Sequence, residues 1–364
     1  MSYRYLNIHV LTSHSPSCLN RDDMNMQKSA VFGGSRRVRI SSQSLKRAIR
    51  KSDYYLEHLG QPSVRTKKLS RLKAQAMNQL SERFDEATIV RTIELLTGKE
   101  GLPDSDTVAP YSIQEIGKVC EVVVQSQEDG VDEKALAKLI QKEYAPAIRE
   151  AMGNTVDLAL SGRMTTSGLM SSVEAAMALA HAMTTHEVDA DIDWFTAVDD
   201  LTKTEEDDQE RGSAHLGTQE FGSGTFYRYA SINLDLLQKN LGNVDRKSAL
   251  EVAAHLVHML ATIVPEAKQN VFAAYNLADY VMVSFGKIPV SGANAFEEPV
   301  RRDLKKGYIN PSIQAFEQYI DRVRSGYGLD EKQAAFTLWQ SVLEPALPSL
   351  DALKNWVRSN GQEI

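Results

Sequence analysis

Imidazole and carboxylate side chains crowd together in His186-Glu-Val-Asp-Ala-Asp-Ile-Asp193, with His181 five residues before it. Such a set suggests a divalent cation and metal-assisted hydrolysis of a phosphodiester. Asp189, Asp191 and Asp193 follow the alternate spacing that opens a calcium loop. Trp194, however, stands where that loop needs glycine, and Asp200 where it needs glutamate. His181 and His186 are poorly spaced to share a metal from one helix face. His255 with His258, and His14 with Cys18, each supply two ligands without an evident second pair. No Gly-rich loop ends in Gly-Lys-Ser/Thr, no Gly-x-Ser-x-Gly elbow occurs, and no Gly-x-Gly-x-x-Gly follows a strand. The expectation is binding without catalysis, and without metal or cofactor. A metal-dependent nuclease built on His186, Asp189, Asp191 and Asp193 is the alternative.

Binding chemistry is concentrated nearer the N-terminus. Between Asp23 and Asp53 there is no acid, yet Lys28, Arg36, Arg37, Arg39, Lys46, Arg47, Arg50 and Lys51 all fall there. The chain has a formal charge of −7; without these eight, its other 33 bases face 48 acids, a net of −15. An acidic protein with one cationic island is built to hold a polyanion there. Arg37 and Arg39 are expected on one face of a short strand, with Val38 and Ile40 on the other. Ser41, Ser42 and Ser44 then offer capping oxygens to a helix whose apolar stripe is Leu45, Ala48 and Ile49. Lys46 pairs with Arg50, and Arg47 with Lys51, one turn apart on the opposite side. A helix start rich in hydroxyl and N–H donors, backed by four cations, outlines a phosphate site.

The elements that must position these groups follow from periodicity. Residues 3–11 read as a strand, 17–35 as irregular with a Gly33-Gly34 turn, and the basic helix runs to about residue 59. Helical periods cover residues 67–84, 86–96, 113–127 and 133–151, a helical insertion in which Lys134, Lys138 and Lys142 sit one turn apart and point to a second nucleic-acid strand. Residues 155–164 read as a strand, 173–183 as an Ala- and Met-rich helix, and 213–233 as a strand. With the acidic stretch before it, that strand forms a long hairpin with an acidic tip at 202–211. Helices are expected over 246–264, 313–326, 331–342 and 350–360, and a buried strand over 280–285. The basic cluster 301–306 reads as a surface loop. At 364 residues the chain has room for about two domains, or one with large insertions. Its 42% hydrophobic and 24% charged residues are ordinary for a soluble protein. Two distant cysteines, no apolar signal core and no long apolar run point to a cytoplasmic protein with free thiols.

Several motifs closely resemble the CasC family, the repeated crRNA-binding backbone subunit of the type I-E CRISPR Cascade complex. They are Asn7-Ile-His-Val-Leu11, Ser15-Pro-Ser-Cys-Leu-Asn-Arg-Asp22, Phe32-Gly-Gly34, Arg36-Arg-Val-Arg-Ile-Ser-Ser-Gln-Ser-Leu-Lys-Arg47, Ala159-Leu-Ser-Gly-Arg-Met164, Asp191-Ile-Asp-Trp-Phe-Thr-Ala-Val-Asp199 and Gly212-Ser-Ala-His-Leu-Gly-Thr-Gln-Glu220. The resemblance implies an α+β hand: a modified RRM-like (ferredoxin-like) palm, a large helical insertion as fingers, and a long β-hairpin thumb. The palm would comprise residues 1–59, 155–189 and 223–364, the fingers 60–154 and the thumb 190–222. Copies would polymerise head to tail along the crRNA with other Cascade subunits and support its pairing with target DNA in antiviral defence. It also implies guide contacts by Lys28, Ser41, Gln43, Lys46, Arg47 and Arg50, with Met164 and Thr218 as wedges where the RNA kinks. The acidic tract 202–211 is longer than the family pattern.

Overall fold

The computed structural model describes residues 3–164, 168–189, 191–197, 215–305, 307–341 and 343–362. Its central strand is β1 (Tyr5–Ser17), in which Leu6, Ile8 and Val10 alternate with Asn7, His9 and Leu11, all of them buried. A strand buried on both faces needs cover on both sides, and the rest of the chain supplies it. β2 (Ser29–Phe32) and β3 (Ser35–Ile40) form a hairpin inside the stretch expected to be irregular. Its two-residue turn has φ of 57° at Gly33 and 77° at Gly34, as a primed hairpin turn requires. α1 (Ser42–Lys51) follows directly and buries Leu45 and Ile49 against the sheet, each worth roughly 1.5–3 kcal/mol. Ser52 ends α1 and caps α2 (Asp53–Leu59) by accepting from the Tyr55 N–H.

A second apolar cluster closes separately. It draws on β4 (Val64–Thr66), α3 (Leu69–Leu80), α4 (Glu86–Thr97), β5 (Ala109–Tyr111), α5 (Ile113–Glu128), α6 (Glu133–Lys138) and α7 (Ala145–Gly153), with Leu72, Ile89, Ile93, Val119 and Val123 at its centre. The single helix expected over 133–151 is interrupted. A wide turn over Leu139–Glu143 is closed by the Tyr144 N–H donating to Leu139 O, and Pro146 sits in the first turn of α7.

Two expectations fail in the next stretch. Residues 155–164 are not a strand: Val156–Ser161 is the helix α8, ended by Gly162 at φ 73°. Val156 to Leu160 are all buried, so the burial carries no period for sequence reasoning to read. Residues 173–183 are not a helix but the strands β6 (Met177–Leu179) and β7 (Ala182–Thr184), both paired with β9. An Ala- and Met-rich segment favours helix by itself; the free edge of a long neighbouring strand overrides that weak preference. β8 (Asp191–Ala197) and β9 (His215–Asn233) form the expected hairpin, in register from Asp191 opposite Phe221 to Ala197 opposite His215. Its acidic tip lies outside the described residues.

β9 is continuous from this hairpin into the main sheet, where it pairs antiparallel with β1 from Asn233 to Gly222. After it come α9 (Leu234–Asn240), α10 (Arg246–Thr262), α11 (Gln269–Phe272), β10 (Tyr280–Gly286), α12 (Ile309–Tyr327), β11 (Lys332–Thr337), β12 (Ala346–Leu347) and α13 (Leu350–Arg358). β11 corrects the helix expected over 331–342. Its small residues Ala334 and Ala335 are buried on opposite faces of the sheet, which only a strand achieves. The main sheet runs β12-β11-β10-β1-β9-β7-β3-β2, antiparallel except for β11 with β12. α1, α2, α10 and α13 cover the face bearing Leu6, Ile8 and Val10; α12 covers the face bearing Leu11, Tyr227 and Tyr280. Arg228 is buried on β9, donating to Leu260 O, Ile263 O and His14 Nε2, so the carbonyl end of α10 offsets its charge. No described helix is long and apolar enough to cross a membrane.

Candidate nucleic-acid interface

The cationic island divides into three environments. Arg37 is fully buried, donating to the backbone carbonyls of Thr184, Phe296 and Glu297. Arg36 pairs at 2.7 Å with the buried Glu220 of β9, whose other oxygen accepts the Gln27 N–H. Arg37 and Arg39 do share one face, opposite Val38 and Ile40, yet Arg37 is out of reach of any ligand. These two arginines hold the hairpin β2–β3 to the sheet.

Arg39 and Lys28 make the second environment. Arg39 donates from Nε to Ser29 O and contacts His181 Nδ1 at 3.1 Å. Burial, then the charges of Arg39 and Lys28, lower the pKa of His181, so a neutral ring accepts from the guanidinium. Asn20 brings this pair to the start of α1: its backbone oxygen accepts the Lys28 N–H, and its Oδ1 accepts the Ser41 N–H at 2.9 Å.

The third environment is α1. Ser41 is its N-cap and its Oγ accepts the Ser44 N–H at 3.3 Å, so that hydroxyl oxygen is a structural acceptor first. The first turn carries no acid, and Gln43 and Arg47 are exposed. Lys46 and Arg50 are half-buried on the same side, and a like-charged pair at this spacing destabilises a helix by a few tenths of a kcal/mol. The burial of Leu45 and Ile49 outweighs that repulsion. Among the described residues, Lys46 and Arg47 have no hydrogen-bonding side-chain partner.

A residue that the sequence reading passed over completes the cluster. Asp157 at the start of α8 buries its carboxylate, accepts the Ser63 N–H at 2.7 Å and Ser63 Oγ–H at 2.5 Å, and lies 3.5 Å from Arg65 NH2 and 4.0 Å from Arg50 Nε. Tyr55 Oη accepts the Asp157 N–H. Burial, then the charge of Arg65, lower the pKa of both Lys46 and Arg50. The signal for Arg65 was available: residues 58–81 contain no acid and five bases.

The remaining assignments are scattered. Met164 is 88% exposed, one residue after Arg163, whose buried side chain is anchored on Glu115. Thr218 is exposed on β9 opposite Trp194. Lys134, Lys138 and Lys142 are exposed, the first two on α6 and the third in the wide turn at Leu139–Glu143. His186 is buried and stacked on Tyr308 at 3.6 Å. Its Nδ1 contacts Glu187 O and its Nε2 accepts the Thr225 N–H, leaving neither nitrogen for a metal. Asp189, Asp191 and Asp193 are exposed, and no three potential ligands converge among the described residues.

Comparison with solved structures aligns almost the entire chain. A chain of a "CRISPR RNA-guided surveillance complex, pre-nicking" superposes with a TM-score of 0.79 at 28% identity, over 98% of this chain and 100% of that one. A chain of a second "CRISPR RNA-guided surveillance complex" gives 0.62 at 25% identity, over 98% and 99%. Comparison with curated proteins gave no match. The family profile described as CT1975-like protein matches residues 6–356, and the chain therefore belongs to this Cas family.

Proposed function

We propose that this chain is a non-catalytic, RNA-binding backbone subunit of a CRISPR surveillance complex, of the CasC kind found in type I-E Cascade. The carrying observation is the face of α1, where Gln43, Lys46, Arg47 and Arg50 stand together without an acid in the first turn. Lys28 is drawn to the same place through Asn20. Such a face holds phosphates and leaves bases free, as a protein that must accept many guide sequences requires. Target sequence is then read by base pairing between guide and DNA, with the protein sensing strand geometry.

In this reading the main sheet is a modified RRM-like palm, residues 60–154 are fingers, and the β8–β9 hairpin belongs to the thumb. Copies follow one another along a crRNA in the cytoplasm, a head-to-tail assembly that stays open. Met164 and Thr218 are the wedges at each RNA kink, and Lys134, Lys138 and Lys142 face target DNA. If each copy neutralises about four phosphates, the slope of log affinity against log salt is about −3 for single-stranded RNA. Lys46→Ala with Arg50→Ala should weaken binding to unrelated RNA oligonucleotides alike and reduce that slope by about 1.4. Unchanged affinity and slope at moderate salt would overturn the proposed site.

A further inference from the structure

Two guanidinium groups on different parts of the fold converge on one carboxylate oxygen. Asp157 Oδ2 accepts Ser63 Oγ–H at 2.5 Å and lies 3.5 Å from Arg65 NH2 and 4.0 Å from Arg50 Nε. Arg50 comes from α1 on the main sheet; Arg65 and Ser63 come from the start of the helical insertion. Lys46 adds a third cation beside them. One carboxylate faces two guanidinium groups in a partly buried place, where the Arg50 and Arg65 side chains are 13% and 31% exposed, and Lys46 feels the charge of Arg65 as well. An uncompensated positive charge held away from water favours an anion over solvent. The lowered pKa values of Lys46 and Arg50, caused first by burial and then by Arg65, agree with that deficit.

Resting on the RNA-binding reading above, we propose that Arg65 is a further phosphate ligand and that Asp157 is a positioning residue that aims Arg50 and Arg65 at the same phosphodiester group. The arrangement makes chemical sense. A guanidinium fork has donors to spare after one carboxylate contact, and Ser63 fills the lone pairs of Asp157 that the arginines leave. The bound phosphate bridges the sheet body and the helical insertion, so RNA binding also fastens these two cores together.

The test uses the full chain and a single-stranded RNA oligonucleotide of mixed sequence, with affinity measured across a salt series. Arg65→Gln should bind about fivefold more weakly and reduce the salt slope by about 0.7, the value for one phosphate of single-stranded RNA. Asp157→Asn makes the protein one charge more positive, so electrostatics alone would tighten binding; loss of positioning weakens it, by about threefold. An unchanged slope in Arg65→Gln, or tighter binding in Asp157→Asn, overturns the proposal. If Lys46→Ala with Arg50→Ala lowers the slope while Arg65→Gln does not, only this inference fails; if neither lowers it, the RNA site itself fails. The unmutated protein gives a second readout that needs no variant to fold. Phenylglyoxal modification of Arg65, followed by peptide mass, should slow several-fold when RNA is bound, and equal rates with and without RNA overturn the assignment.

Discussion

Removing Glu115 tests how the helical insertion is held to the sheet. Arg163 NH1 lies 2.6 Å from Glu115 Oε2 and NH2 lies 2.8 Å from Oε1, with side chains 0% and 2% exposed. Arg163 Nε also donates to Ser171 O at 3.0 Å. In Glu115→Ala the guanidinium keeps that carbonyl but loses its carboxylate, and stripping one partner from a buried pair costs about 3–5 kcal/mol. The loss falls on the apolar cluster that runs from Leu69 to Ile148, which packs apart from the main core. With a denaturant slope of about 2 kcal/mol per molar urea for a unit of this size, its midpoint should drop by about 2 M. The chain offers two separable probes. Its three tryptophans, Trp194, Trp339 and Trp356, all lie outside the insertion, so fluorescence follows the sheet body while far-UV circular dichroism follows all helices. In Glu115→Ala the dichroism should fall before the fluorescence changes. Adding Arg163→Met should recover most of the loss, because removing both charges from a buried pair is close to neutral. A midpoint shift below about 0.5 M, or no recovery in the double variant, would refute the reasoning.

Two further predictions concern stability. Burial holds His9 and His14 neutral, with pKa values lowered to about 3, Arg228 adding to the effect at His14. An unfolded histidine titrates near 6.5, so below about that pH the unfolded chain binds more protons, and stability falls as pH drops, by about 1.4 kcal/mol per unit for each histidine. His14→Gln should flatten the pH dependence of the urea midpoint between about pH 6 and pH 4; an unaltered dependence counts against it. Gly33→Ala should cost more than Gly34→Ala in thermal midpoint. Both have positive φ, but a Cβ at Gly33 would lie 1.6 Å from Glu297 O, whereas at Gly34 it meets open space. Equal losses would place the penalty in backbone strain alone.

Much of the candidate site was legible because charge composition needs no fold to read. The acid-free run and the serines before Leu45 located α1, its cap and its cationic face. Arg65 was not found with them, because the partner that draws it in, Asp157, is 92 residues further on. The arginine-rich strand shows the opposite error. Arg36 and Arg37 contribute to the same basic signal, but Glu220 and three backbone carbonyls use them structurally. His186 shows it again: its sequence neighbours are acids, while its actual partners are Tyr308 and the Thr225 N–H.

Periodicity sets what the chain alone determines, since an element that is buried on one side and wet on the other writes that difference into its residues. α1 and α13 were readable for this reason. β6, β7, α8 and β11 were not, because they are short or buried on both sides and carry no such contrast. Their conformation was decided by the hydrogen-bonding edges and faces of β9, β10 and the main core, which exist only once distant parts of the chain have met. The convergence of Arg50 and Arg65 on the buried carboxylate of Asp157 was likewise a product of tertiary structure: charges that the sequence spreads over three elements are brought within 4.0 Å only by packing.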